Sequence, residues 1–281
     1  MTEAILGFDT LQSRLRFTGE LIVLTGLRIG AGRDTNVAGQ DLPVMRDASG
    51  YPFIPGASFK GVLRAQIEAL LRGLSDIPDV QQRKLACYVL EQQHRCIGDA
   101  TMREWRKTPD IQKISQLVLD NSCLVCQTFG STWLAAHVAV RDLTVRPSQW
   151  FGQFEIRQGV SLDRDTETAG DGLLYSFETV PAGTRFRLEI AADNLRDWQK
   201  GLLLLGLQLF IRGAISLGGA RSRGLGQVQL LNTAWHGWER GTDRVSSVMA
   251  LLQTDLPLLE ETIHDQWREA LRTKLMEVVG V

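Results

Sequence analysis

The 281-residue chain is 44% hydrophobic and 22% charged, the composition of an ordinary globular protein with length enough for a substantial core. No apolar run reaches the length of a membrane span, and Met1–Leu6 lacks the character of a signal peptide, so a cytoplasmic protein without membrane contacts is expected. The net charge of −1 argues against indiscriminate nucleic-acid binding, but eight acids and five bases lie from Gly237 onward, leaving the first 236 residues slightly basic.

Only six of the cations are lysines: Lys60, Lys84, Lys107, Lys113, Lys200 and Lys274. Arginine is the better group for bidentate phosphate contact and for stacking on bases, although coding-sequence composition alone can produce such a bias. Clustering must therefore carry any nucleic-acid signal.

In chain order, Arg14–Leu24 alternates as a strand, with Leu15, Phe17, Gly19, Leu21 and Val23 on one face. A glycine-punctuated loop follows from Gly26 through Pro55-Gly56. The next segment spaces Phe59, Val62, Leu63, Ile67, Leu70 and Leu71 as one face of a helix, with Ser58 as its N-cap. Residues 74–130 are polar and irregular and read as an insertion. Ala135–Val145 is the next strand, and a polar stretch runs from about Ser148 to Gly172. Leu173–Thr179 and Thr184–Ala191 read as strands joined at Pro181-Ala182-Gly183. A helix capped by Asp193 or Asn194 continues to about Ile215, and its Leu202–Leu209 run marks it as buried. Gly224–Ala234 is a final strand. Without the insertions the order is strand, helix, strand, strand, helix, strand. That predicts an α+β fold with a ferredoxin-like βαββαβ core, the arrangement also used by RNA-recognition modules. Residues 237–281 form a helical extension, with helices expected over Ser246–Leu259 and Thr262–Val279.

Three clusters carry chemistry. Pro55-Gly56-Ala57-Ser58, followed by Lys60 and Arg64, places a helix start beside two cations, which favours a phosphate. Gly218, Gly219, Gly224 and Gly226 interleave with Arg221 and Arg223, so backbone can approach a ligand closely while the arginines reach sugar-phosphates. Cys123 and Cys126 form a CxxC pair, with Cys87 and Cys96 upstream. Four cysteines in this pattern point to a structural zinc site pinning the insertion, in which His94 could replace Cys87 or Cys96. A redox CxxC would need a thioredoxin-like context that is absent.

Four blocks together resemble the RAMP superfamily, and in particular the backbone subunit of type III CRISPR effectors. They are Leu27-Arg28-Ile29-Gly30 leading to Gly39-Gln40-Asp41-Leu42-Pro43-Val44; Tyr51–Gly61; Gly159–Arg164 with Phe177–Thr184; and Leu217–Gly226. Their spacing and the cysteine insertion are similar to the subtype D branch.

The resemblance implies guide RNA, target RNA and other effector subunits, neighbouring backbone subunits included, as partners. It also implies that residues of about 148–178 form a thumb, with Asp163, Arg164, Asp165, Glu167 and Asp171 as surface groups. Asp41 matches the family's target-cleaving aspartate, which would hold Mg²⁺ or position a 2′-hydroxyl for in-line attack. Asp34 is a fallback ligand, and Asp47 suits a turn. Two alternatives remain open. One is a guide-RNA scaffold that does not cut. The other is a guide-processing nuclease using a histidine, for which His137, in a strand, is the candidate; His236 and His264 match no block.

Overall fold

A computed structural model of the chain describes residues 8–32, 42–74, 84–162, 165, 169–253 and 255–280. Its main sheet has six strands: β1 (Ser13–Val23), β2 (Phe53–Ile54), β3 (Val138–Val140), β4 (Leu143–Val145), β7 (Arg185–Asp193) and β8 (Val228–Glu239). They pair antiparallel in the order β2-β4-β7-β1-β8, with β3 also on β7. The molecule is thus a mixed α+β protein around an antiparallel sheet.

The alternation in β1 places Leu15, Phe17, Gly19, Leu21 and Val23 on the buried face, against α1 (Gly56–Arg72) and α5 (Asp197–Ile211). Helix α1 buries Phe59, Leu63, Ile67 and Leu71, and each such side chain contributes roughly 2 kcal/mol when removed from water. Phe59 stacks on Phe210 of α5 with ring centroids 4.7 Å apart. Gly206 makes the close helix approach possible, since a Cβ there would stand 2.6 Å from Leu63.

Several boundaries differ from expectation for local reasons. The single strand expected over 135–145 is two, broken at Arg141-Asp142. The Asp142 carboxylate accepts the Gly56 amide at 2.7 Å, and a Cβ on Gly56 would lie 2.2 Å from the Val140 carbonyl. The break is the seat of the α1 start. Ser58 is accordingly inside the helix rather than its cap; Pro55 holds the cap position and makes no side-chain bond. The amphipathic pattern had indicated the helix but not this seat.

Helix α5 begins at Asp197, not at Asp193 or Asn194. Asn194 instead adopts φ 55° and clamps the chain start, accepting the amides of Gln12 and Ser13. Leu173–Thr179 is not a core strand. It belongs to β6 (Ala169–Thr179), which pairs with β5 (Glu155–Leu162) in a separate two-stranded hairpin.

The insertion is less irregular than its composition suggests, holding α2 (Asp99–Trp105), α3 (Ile111–Asp120) and α4 (Leu124–Phe129). A small core of Ile97, Met102 and Val118 supports it. Two C-terminal helices follow, α6 (Arg244–Gln253) and α7 (Ile263–Val279). The first is shorter than expected, ending ahead of Pro257, a residue that cannot continue a helix. Helix α7 packs on α5 at Gly201, where a Cβ would stand 2.3 Å from the Trp267 carbonyl. No helix among the described residues is long and apolar enough to cross a membrane.

Candidate nucleic-acid interface

The fold brings the two predicted phosphate sites together. Ser58 and Gly61 of α1, Gly218, Gly219 and Arg221 of the glycine loop, and Arg28 line one cleft of about 460 Å³. Arg28 lies in the segment after β1, α1 crosses the same sheet, and the loop connects α5 to β8, so three separate segments converge there.

The glycines in the loop have two distinct reasons. Gly218 and Gly226 have φ of 79° and 81°, and a Cβ would lie 2.3 Å from the Arg28 carbonyl and 2.0 Å from the Leu217 carbonyl. Backbone bonds from Gly219 N to Arg28 O (2.8 Å) and from Gly226 N to Gly26 O (2.9 Å) fix the loop against the chain after β1. These two glycines therefore serve the packing of the protein's own backbone, contrary to the expectation that all four serve a ligand. Gly219 is different: a Cβ there would meet the Arg28 guanidinium at 3.3 Å, inside the cleft. Gly224, at φ 82°, faces open space.

Of the cations, Arg221 is exposed at the cleft. Arg223 is exposed but donates to the Tyr175 hydroxyl, tying the loop to the β5–β6 hairpin. Lys60 and Arg64 are occupied inside the protein. Lys60 Nζ donates to the Val138 carbonyl at 2.7 Å, and burial lowers its pKa below the ordinary lysine value, with Arg64 adding to the effect. Arg64 pairs with Glu68 at 2.7 Å and donates to the Gly130 carbonyl at 2.9 Å. Both join α1 to its neighbours instead of presenting charge to a ligand. The amides of Gly56 and Ser58 are also taken, by Asp142 and the Pro55 carbonyl, and the exposed Ser58 lines the cleft.

Sequence reasoning missed Arg28 as a site residue. Its Nε is buried without a hydrogen-bond partner among the described residues, and its guanidinium stands 5.7 Å from the Phe177 ring centre. The one available signal was a cation in the first block, separated from Gly30 by Ile29.

Asp41 and Asp34 lie outside the described residues, as do Asp163, Arg164 and Glu167. The segment that follows Asp41 is anchored firmly. The Leu42 carbonyl accepts the Glu178 amide at 3.1 Å, and the buried Glu178 carboxylate accepts the Val44 amide at 3.2 Å. Glu178 also binds Arg46 at 2.6 Å, and the Arg46 guanidinium lies 4.0 Å above the Phe154 ring. Asp47 makes the expected turn, accepting the amides of Ser49 and Tyr51.

None of the candidate histidines lines the cleft. His137 is buried, bonded at 2.8 Å to the Asp193 carbonyl, and its pKa is lowered by burial. His236 contacts the Leu256 carbonyl, and His264 packs against Trp235 and Trp267.

The four cysteines form a cluster able to hold a metal ion: the sulfurs of Cys87, Cys96, Cys123 and Cys126 all lie within 4.8 Å of one another. Four sulfurs about 2.3 Å from a tetrahedral zinc would be spaced by roughly 3.8 Å, so the donor set fits that ion. Hydrogen bonds from the other thiols push the Cys87 pKa down, whereas those of Cys96, Cys123 and Cys126 are pushed up. His94 does not belong to this set; it pairs with Glu91 and faces Tyr88. Arg64 reaches the Cys126 sulfur at 3.4 Å, which joins the cluster to α1 and thus to the cleft wall.

Comparison with known proteins places these features in context. The RAMP superfamily profile matches residues 20–229, a span that includes the cleft and the cysteine cluster. A protein of Methanocaldococcus jannaschii named CRISPR system Cms endoribonuclease Csm3 is 26% identical over 235 residues, covering 78% of this chain and 79% of that one. Its namesake in Methanothermobacter thermautotrophicus is 28% identical over 236 residues, covering 79% and 85%. One of the same name from Enterococcus italicus reaches 49% identity over 55 residues, 19% of this chain and 26% of that one.

Proposed function

Since the chain belongs to the RAMP superfamily, we propose that it is a guide-RNA-binding backbone subunit of a type III CRISPR ribonucleoprotein that also cleaves target RNA paired to the guide. One observation carries the reading: Arg28, Ser58, Gly219 and Arg221, from three segments, meet in a single cleft with two arginines and close backbone access. The name borne by the relatives, an endoribonuclease of a CRISPR system, agrees with it.

In this reading Arg28 and Arg221 bind phosphates of the guide, Ser58 adds a hydroxyl, and Gly219 lets the strand approach the backbone. Lys60, Arg64, Gly218 and Arg223 hold the walls. Contacts to the sugar-phosphate chain give affinity with little base preference. The strand order β4-β7-β1-β8, with α1 and α5 as the crossing helices, supports a ferredoxin-like core. Residues 1–236 are then the RAMP domain and 237–281 an added extension. The hairpin of β5 and β6, with residues of about 148–178, is the thumb, and the cysteine cluster is a zinc site that rigidifies the insertion.

Cleavage is assigned to Asp41. Its carboxylate positions the target 2′-hydroxyl for in-line attack on the adjacent phosphate, leaving a 2′,3′-cyclic phosphate and a 5′-hydroxyl. Asp41 would also hold Mg²⁺, which when bound would neutralise the developing phosphate charge. Leu42 and Val44, held by Glu178, give the loop a fixed base. The test is reconstitution on guide RNA, comparing cleavage of a matched target by wild type and Asp41→Ala, with and without Mg²⁺. Asp41→Ala should abolish cutting while guide binding persists; full cutting by the variant would overturn the assignment.

A further inference from the structure

Arg46 stands at the foot of the β5–β6 hairpin, gripped by both of its legs. On one leg, the buried Glu178 carboxylate accepts Arg46 Nη2 at 2.6 Å on each of its oxygens. On the other, Phe154, the residue ahead of β5, lies against the guanidinium with its ring centre 4.0 Å away. Phe154 is backed in turn by Trp150, with ring centroids 5.0 Å apart. Glu155 and Thr179, the next residues on the two legs, pair in register and close the hairpin base.

Glu178 holds more than the arginine. Its amide donates to the Leu42 carbonyl at 3.1 Å and its carboxylate accepts the Val44 amide at 3.2 Å, so one residue fastens both ends of Leu42-Pro43-Val44. The same segment is also bonded to the chain that carries Arg28. The Met45 amide donates to the Ile29 carbonyl at 2.8 Å, and the Ala31 amide donates to the Pro43 carbonyl at 3.1 Å. The residues that follow Asp41 are thereby strung between the cleft and the hairpin.

Stability is a weak reason for a carboxylate at this place. Taking a charge out of water is costly, and a buried ion pair seldom adds net stability over apolar side chains of the same volume. Such a pair does fix distance and direction, here with a ring face closing a further side. We propose that Arg46 and Glu178 are positioning residues for target cleavage, setting the stance of Asp41 relative to the hairpin. The inference rests on the assignment of cutting to Asp41. Both residues act through Leu42-Pro43-Val44 rather than on the reacting atoms. A shift of about 1 Å at a reacting group can cost about 100-fold in rate, so loss of the clamp slows cutting at full occupancy and leaves target binding intact.

The test uses the complex reconstituted on guide RNA and held in excess over labelled matched target. Varying its concentration reads the plateau rate and the half-saturating concentration separately. Arg46→Met should lower the plateau rate by about 10- to 100-fold and leave the half-saturating concentration within about threefold of wild type. Arg46→Lys should recover most of the rate, because a single nitrogen makes both contacts to Glu178 and an ammonium can take its place. Phe154→Leu keeps the ion pair and loses the ring, so it should slow the plateau by a smaller factor. The Arg46 side chain is 38% exposed, and thermal melting checks that each variant is folded. A wild-type plateau for Arg46→Met, a loss that excess complex restores, or no recovery by Arg46→Lys would each overturn the proposal. Asp41→Ala is run alongside. If it cuts fully, the cleavage assignment falls and this inference with it; if it is inactive while Arg46→Met cuts fully, only this inference falls.

Discussion

Arg28 is the side chain on which the proposed interface turns. A charged hydrogen bond of this kind is worth about 1.5–3 kcal/mol, so Arg28→Met should weaken guide-RNA affinity by roughly 10- to 100-fold. In a salt titration the same variant should lower the slope of log affinity against log salt by about 0.7, one lost single-strand phosphate contact. Lys60 provides the contrast. Because its ammonium is spent on the Val138 carbonyl, Lys60→Met should cost about 1 kcal/mol of stability, read by denaturant unfolding. RNA affinity should stay within about threefold. His137 adds a pH signature. Burial lowers its folded pKa, so the unfolded chain takes up the proton first. Its stabilising effect is complete above the unfolded value of about 6.5 and is lost as pH falls through the depressed folded value. Comparing melting of wild type and His137→Asn at pH 7.5 and 5.5, the variant should show the smaller acid loss. Arg28 escaped the sequence reading because only the fold brings it beside Ser58 and Arg221, whereas Lys60 and Arg64 drew it because spacing shows that a cation is near a helix start but not whether a carbonyl has already claimed it.

Among the elements, the break between β3 and β4 shows how a small residue seats a helix. A methyl at Gly56 would collide with the Val140 carbonyl, so Gly56→Ala should cost about 1–3 kcal/mol in unfolding experiments. The cysteine cluster makes a stronger claim on the insertion. Treatment with a chelator, or Cys123→Ser, should lower the melting temperature, and elemental analysis of untreated protein should find about one zinc per chain. Release of the metal should also loosen Arg64, whose guanidinium touches Cys126. Strand β1 and helix α1 were legible in the sequence because their burial follows one clean period each. The three insertion helices were not: the short apolar faces of α2 and α3 close a satellite core around Ile97, Met102 and Val118, and α4, though packed in the main core, is too short to show a period. Leu173–Thr179 read correctly as a strand but was given the wrong partner, because alternation says nothing about which sheet a strand joins.

The whole molecule divides its labour by face. The cleft of Arg28, Ser58, Gly219 and Arg221 opens where α1, the glycine loop and the chain after β1 meet. Helix α7 covers α5 instead, with Trp267 and Leu271 buried in the common core. Variants on these two surfaces should therefore separate: Met276→Glu should leave the RNA affinity of a single chain within about threefold of wild type. Filter binding at low protein concentration would check this. The convergence of the second and fourth sequence blocks in one cleft was foreseeable as chemistry, but only the sheet order brings them side by side.

The glycine loop is fastened to Gly26 and Arg28 by backbone hydrogen bonds and by carbonyl contacts that leave no room for a Cβ at Gly218 or Gly226. A surface set in advance pays little ordering entropy when it is occupied, so that cost falls on the polymer it receives. Calorimetry with guides of graded stiffness should show the unfavourable entropy tracking the flexibility of the RNA. A strand already bent to the shape of the cleft should bind with the smallest penalty, with the protein acting as a rigid mould.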